Sequence, residues 1–134
     1  MTQGSQRTGI EIRDAHFPGR APIDAYGNGG FRFAEMSHRG SILIVPSGVY
    51  AWEPKSAEEL QVVHFERVLA EAEGIEFLLL GTGAAFHPLD AGIRSFLHGG
   101  NIGVDVMDTG AAARTYNVVL AEQRRFAAAL IAVD

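Results

Sequence analysis

Gly81-Thr82-Gly83 and Asp108-Thr109-Gly110 are the residues of this sequence best suited to chemistry. Each triplet closes an apolar run, Phe77-Leu78-Leu79-Leu80 in the first case and Ile102-Gly103-Val104-Asp105-Val106-Met107 in the second. Glycines let backbone N–H groups approach an anion closely, and a following helix adds the positive end of its dipole. Asp108 brings a carboxylate that can serve as acid, base or hydrogen-bond acceptor. Two strands emptying into neighbouring turns make the kind of crevice in which α/β proteins hold ligands. Arg114-Thr115-Tyr116-Asn117 places polar groups inside an otherwise apolar helix, where Thr and Asn are unfavourable unless partnered. The candidate ligand-binding set is Gly81, Thr82, Gly83, Asp108, Thr109, Thr115 and Asn117.

Each of these residues also has a structural reading. Gly81–Phe86 reads G-T-G-A-A-F, which departs from G-x-G-x-x-G at Phe86 and lacks a Walker lysine. The next helix starts only after Pro88, so a close-packed strand-to-loop turn accounts for the triplet. Asp108 and Thr109 are good N-caps. Thr115 can bond back to the preceding turn, and Asn117 can satisfy a loop backbone, that of residues 81–84 being one candidate. Neither a metal cluster nor a suitably spaced second carboxylate accompanies Asp108 locally, so no catalytic residue is assigned. The five histidines, His16, His38, His64, His87 and His98, form no i,i+4 pair or metal motif, and neither a metal nor a cofactor is expected. Ser47 lies outside any G-x-S-x-G elbow. Tyr50 and Trp52 suit core packing or an interface anchor.

The elements that position these groups divide the chain in two. The first half reads as an antiparallel meander: Ile10–Phe17, Ile23–Tyr26, Phe31–Phe33 continuing toward Met36, Ile42–Val45 and Val49–Trp52. Gly27-Asn28-Gly29-Gly30, His38-Arg39-Gly40-Ser41 and Pro46-Ser47-Gly48 are its turns. The second half alternates helix and strand. Ser56 and Glu59 fit a capping box before a helix carrying Val62, Phe65, Leu69 and Ala72, stopped at Gly74. Strand Ile75–Leu80, helix Leu89–His98, strand Ile102–Met107, helix Ala111–Gln123 and strand Arg125–Val133 follow, a βαβαβ order that implies a largely parallel sheet. The expected fold is one α/β domain over residues 10–134, with a disordered tail over 1–9.

Composition fits that picture. The chain has 134 residues, 47% hydrophobic and 20% charged, which suits a single globular domain. A net charge of −5 argues against a nucleic-acid binder, and Arg124-Arg125 reads as a helix C-terminus. The sequence has no cysteine, which removes disulfides, thiolate metal sites and a cysteine nucleophile. No apolar run reaches the roughly 20 residues of a membrane span, and the first nine residues lack a signal peptide's apolar core. A cytoplasmic bacterial protein is the expectation.

Several segments together resemble one family: Gly29-Gly30-Phe31-Arg32-Phe33, Gly40–Pro46, Trp52, Leu79–Gly83, Met107–Ala112, Arg114–Glu122, Arg124-Arg125 and Ala127–Ile131. It is the domain-of-unknown-function family that includes mitochondrial complex I assembly factor 3 and the adipogenesis-associated domain-containing protein. The resemblance runs in order from Ile10 to Val133. It implies a three-layer β/β/α domain, no established enzymatic activity and protein partners. Cysteine often stands in the family where this sequence has Ala113. Three functions follow as expectations: a non-catalytic assembly module linked to complex I, a small-molecule or nucleotide/anion binder (an enzyme included) using the crevice, and a homo-oligomer joined at a strand edge.

Overall fold

The computed structural model describes residues 17–134. The tail expected over 1–9, and all of the Ile10–Phe17 strand but its last residue, lie outside them. β1 (Phe17–Pro18), β2 (Ile23–Gly27), β3 (Gly30–Phe33), β4 (Met36–Arg39), β5 (Ser41–Val45) and β6 (Gly48–Trp52) form the first half. α1 (Glu66–Ala70), β7 (Phe77–Gly81), α2 (Ala91–His98), β8 (Gly103–Met107), α3 (Thr109–Ala121) and β9 (Phe126–Leu130) form the second.

A six-stranded sheet in the order β1-β6-β5-β9-β7-β8 is the spine of the molecule, and β2-β3-β4 form a separate antiparallel sheet. β7 runs parallel to both β8 and β9, whereas β5 meets β9 antiparallel. β9 therefore joins the meander half to the βαβαβ half. Phe126-Ala127-Ala128-Ala129-Leu130 is fully buried, the continuous apolar signature of a strand covered on both faces. One face of the large sheet, with Ile42, Ile44, Leu79 and Phe126, packs on Phe31 and Phe33 of the small sheet and on Tyr116 and Val119 of α3. The other face, with Leu43, Leu78, Leu80 and Ala129, packs on Phe65, Val68, Ile93 and Leu97. The small sheet and α3 thus share one layer, and α1 and α2 form the layer opposite.

Local chemistry explains where the elements differ from expectation. Asn28 (φ 53°) and Gly29 (φ 81°) make the two-residue turn between β2 and β3 that the sequence announces. The strand expected to run on toward Met36 instead folds back, because Ala34 (φ 48°) and Glu35 (φ 63°) adopt the same left-handed turn. His38 and Arg39 consequently lie in β4 rather than in a turn. The helix expected after Ser56 is broken into short 3-10 turns at Ala57–Glu59, Val62–Phe65 and Ala72–Gly74 around α1. Leu60 turns extended, and a new capping box starts at Gln61, whose N–H donates to His64 Nδ1 (3.0 Å). Val62 lies exposed as a result.

Candidate functional site

Parallel pairing of β7 and β8 ends at Gly81 and Met107, so the two glycine-containing turns emerge side by side. Thr82 N–H donates to the Met107 carbonyl (2.9 Å). Its hydroxyl donates to the Ala85 carbonyl (2.8 Å) and accepts the His87 N–H (3.1 Å), which folds the 82–87 loop onto itself. Gly83 and Thr109 exchange two bonds: Gly83 N–H donates to Thr109 Oγ1 (2.9 Å), and Thr109 N–H donates to the Gly83 carbonyl (2.8 Å). The Thr109 hydroxyl then donates to the Ile131 carbonyl (2.7 Å), and Ile131 N–H returns to the Gly81 carbonyl (3.0 Å). Thr109 is 0% exposed.

Gly81 is required by this junction. A Cβ there would lie 3.0 Å from the Thr109 Cα, the Thr109 Oγ1 and the Leu130 Cδ2. Gly83 takes φ +109°, which a side chain strains. Asp108 is the N-cap of α3, its carboxylate accepting the Ala111 N–H (2.9 Å). Tyr26, at the end of β2, covers the start of the same helix. A Cβ on Gly110 would fall 2.6 Å from its hydroxyl, which also accepts from Arg114 (3.4 Å).

Gly81, Thr82, Gly83, Asp108 and Thr109 are thus brought together, while Thr115 turns back onto the end of β8 and Asn117 goes elsewhere. The Thr115 hydroxyl donates to Met107 Sδ (3.6 Å). Asn117 clamps β2 instead of the 81–84 loop: Oδ1 accepts the Ile23 N–H (2.8 Å) and Nδ2 donates to the Ile23 carbonyl (2.9 Å). Beside it the Tyr116 hydroxyl donates to the Ala21 carbonyl (2.8 Å), and burial pushes its pKa far above the ordinary tyrosine value, against the opposing pull of Arg20. Sequence reasoning missed Ile131 and Tyr26 as members of the junction. No local spacing links them to it, and only the pairing of β9 with β7 and the β2–β3 turn bring them there.

Chemically the junction is a weld. The hydroxyls of Thr82 and Thr109 are committed to backbone groups, and a doubly bonded, fully buried hydroxyl is no nucleophile. Among the described residues no group of three or more His, Cys, Asp or Glu is arranged to hold a metal ion. Ala84, Ala85 and Phe86, the last 61% exposed, form the outward side of the loop.

Residues 23–131, which include every element from β2 to β9, match the family described as protein of unknown function (DUF498/DUF598). The chain belongs to that family. A crystal structure described as an outer membrane protein from Bartonella henselae is similar at 55% identity and TM-score 0.85, covering 89% of this chain and 100% of that one. An uncharacterised protein of Rhodobacter capsulatus is 37% identical over 119 residues, 89% of this chain and 90% of its own. NADH dehydrogenase [ubiquinone] 1 alpha subcomplex assembly factor 3 of Xenopus tropicalis is 29% identical over 109 residues, and the match spans 81% of this chain but 60% of that protein. No described helix is long and apolar enough to cross a membrane.

Proposed function

We propose that this family member is a non-catalytic binding and assembly module that works through protein partners, in the maturation of a respiratory NADH dehydrogenase. The relatives named as assembly factors of that enzyme support the reading. The observation that carries it is the commitment of the Gly83 N–H and the Thr109 hydroxyl to each other and to Ile131. The backbone donor that an anion or nucleotide would need is spent inside the fold, which disfavours a ligand crevice over 81–83 and 108–109.

Deleting the gene from a bacterium that carries the multisubunit NADH dehydrogenase tests the proposal. Assembled enzyme on native gels and NADH oxidation by membranes are expected to fall, and both return on complementation. Normal assembly in the deletion strain overturns the reading, as does a thermal-shift response to nucleotides that Gly83 and Thr109 variants abolish. The same reading places the chain in the bacterial cytoplasm. Fractionation checks that placement against the outer-membrane description of the Bartonella relative.

A further inference from the structure

Eight of the arginines fall within residues 17–134. Seven of them are engaged with a carbonyl, ring, hydroxyl or carboxylate: Arg20, Arg32, Arg67, Arg94, Arg114, Arg124 and Arg125. Arg32 and Arg39 are the two that lie in the small sheet. Among the described residues Arg32 meets only the Ser37 hydroxyl, at 3.4 Å, and no ion pair involves either residue.

Strand register puts the two on one face of the small sheet. Arg32 stands opposite Ala25 on β2 and Ser37 on β4, while Gly30 stands opposite Gly27 and Arg39. Cross-strand partners share a face. That face therefore carries the rows Ala25-Arg32-Ser37 and Gly27-Gly30-Arg39, with Phe31 and Phe33 buried beneath it. Apart from the arginines the face bears nothing larger than the Ser37 side chain, and two guanidiniums stand at diagonal positions, a separation of about 7–8 Å between backbones. Ala25, Gly27, Gly30, Arg32, Ser37 and Arg39 all line a recess of about 690 Å³ that Trp52 also borders. None of the described residues lining it is Asp or Glu, in a chain with 16 acidic and 11 basic residues.

We propose that the outer face of β2-β3-β4 binds a phosphomonoester, its phosphate seated between Arg32 and Arg39 with the Ser37 hydroxyl as a further donor. Two cations with no carboxylate partner among the described residues match a phosphate dianion, which offers two charges and three acceptor oxygens. A single carboxylate is satisfied by one guanidinium, and leaves the second unmatched. The recess falls within the about 300–1,000 Å³ typical of small-molecule sites, so the organic remainder of the ester has room beside the phosphate. This site is separate from the Gly83–Thr109 junction and does not depend on the assembly reading.

Amide NMR titrations of the full chain at constant ionic strength test it, with inorganic phosphate, adenosine monophosphate and acetate as probes. Saturable shifts confined to residues 25–41 are expected from both phosphates, tighter for the nucleotide, with no saturation by acetate. Arg32→Gln and Arg39→Gln, both at exposed positions, are each expected to weaken binding at least tenfold without disturbing the rest of the spectrum. Ala25→Glu keeps both arginines and the fold but sets a carboxylate beside Arg32, and is expected to abolish binding. Shifts that acetate reproduces, that never saturate, or that survive Ala25→Glu refute the proposal. Shifts centred on residues 81–83 and 108–111 also refute it, and place the anion in the junction instead.

Discussion

Replacing Thr109 with Val exchanges one hydroxyl for a methyl of nearly the same volume at a position with no solvent contact. The hydroxyl serves two backbone groups at once, the Gly83 N–H at 2.9 Å and the Ile131 carbonyl at 2.7 Å. Both become unsatisfied in the variant, and a buried orphan group costs about 1–3 kcal/mol. The pair sums to a loss of about 3 kcal/mol, or about 10 °C in melting temperature for a domain of this length. Thr109→Ser keeps the bridge and forfeits a methyl, worth about 1 kcal/mol. Urea unfolding at unchanged m-value measures both variants, and hydrogen exchange at the Gly83 amide reports the bridge directly. A Val variant within about 0.5 kcal/mol of the parent, or a Ser variant worse than Val, would show that packing and not the hydroxyl bridge holds the two turns together.

Gly81→Ala forces a Cβ to within 3.0 Å of the Thr109 backbone, and is expected to cost about 2 kcal/mol by overpacking, read as a lower urea midpoint. Asn117→Asp replaces the donor facing the Ile23 carbonyl with an acceptor, a loss of about 2 kcal/mol at neutral pH. Only the protonated acid restores that donor, so its folded pKa is raised: the lost stability returns below about pH 4 and disappears again as pH rises, which melting curves at pH 3.5 and 7 will show. Tyr116 is held neutral by burial, its folded pKa above the unfolded value near 10. Its stabilisation is complete below that value and is lost as pH rises past it, so the parent should unfold in alkali where Tyr116→Phe loses less with pH.

Much of this architecture was legible in the sequence. The apolar runs at 77–80 and 102–107, each closed by a glycine-containing turn, imply parallel neighbours, and parallel neighbours deliver their turns to the same end. Asn28-Gly29 marks its hairpin because both residues tolerate positive φ. Ala34-Glu35 gives no such mark, since the turn is imposed by the pairing of Phe33 with Met36 and not by turn-forming residues. The break in the helix around α1 leaves no mark in the sequence, because Val62, Phe65 and Leu69 keep helical spacing although Leu60 is extended. Asn117 in an apolar helix needs a hydrogen-bond partner, but that partner lies 94 positions away and no spacing identifies it. Arg32 falls in an expected strand and Arg39 in an expected turn, so only the observed register sets them on one face, with Ala25, Gly27 and Gly30 between them.

The position of β9 has a consequence for biogenesis. Residues 126–130 sit in the middle of the large sheet although they come late in the chain, so a nascent polypeptide exposes the inner edges of β5 and β7 until synthesis passes Leu130. Closing that gap brings together partners more than 80 residues apart in sequence, such as Ile44 and Ala128, and long loop closures of this kind slow folding. Until then two half-built edges remain available to other strands, and the ribosome-bound intermediate, rather than the finished domain, is the species most in need of a chaperone.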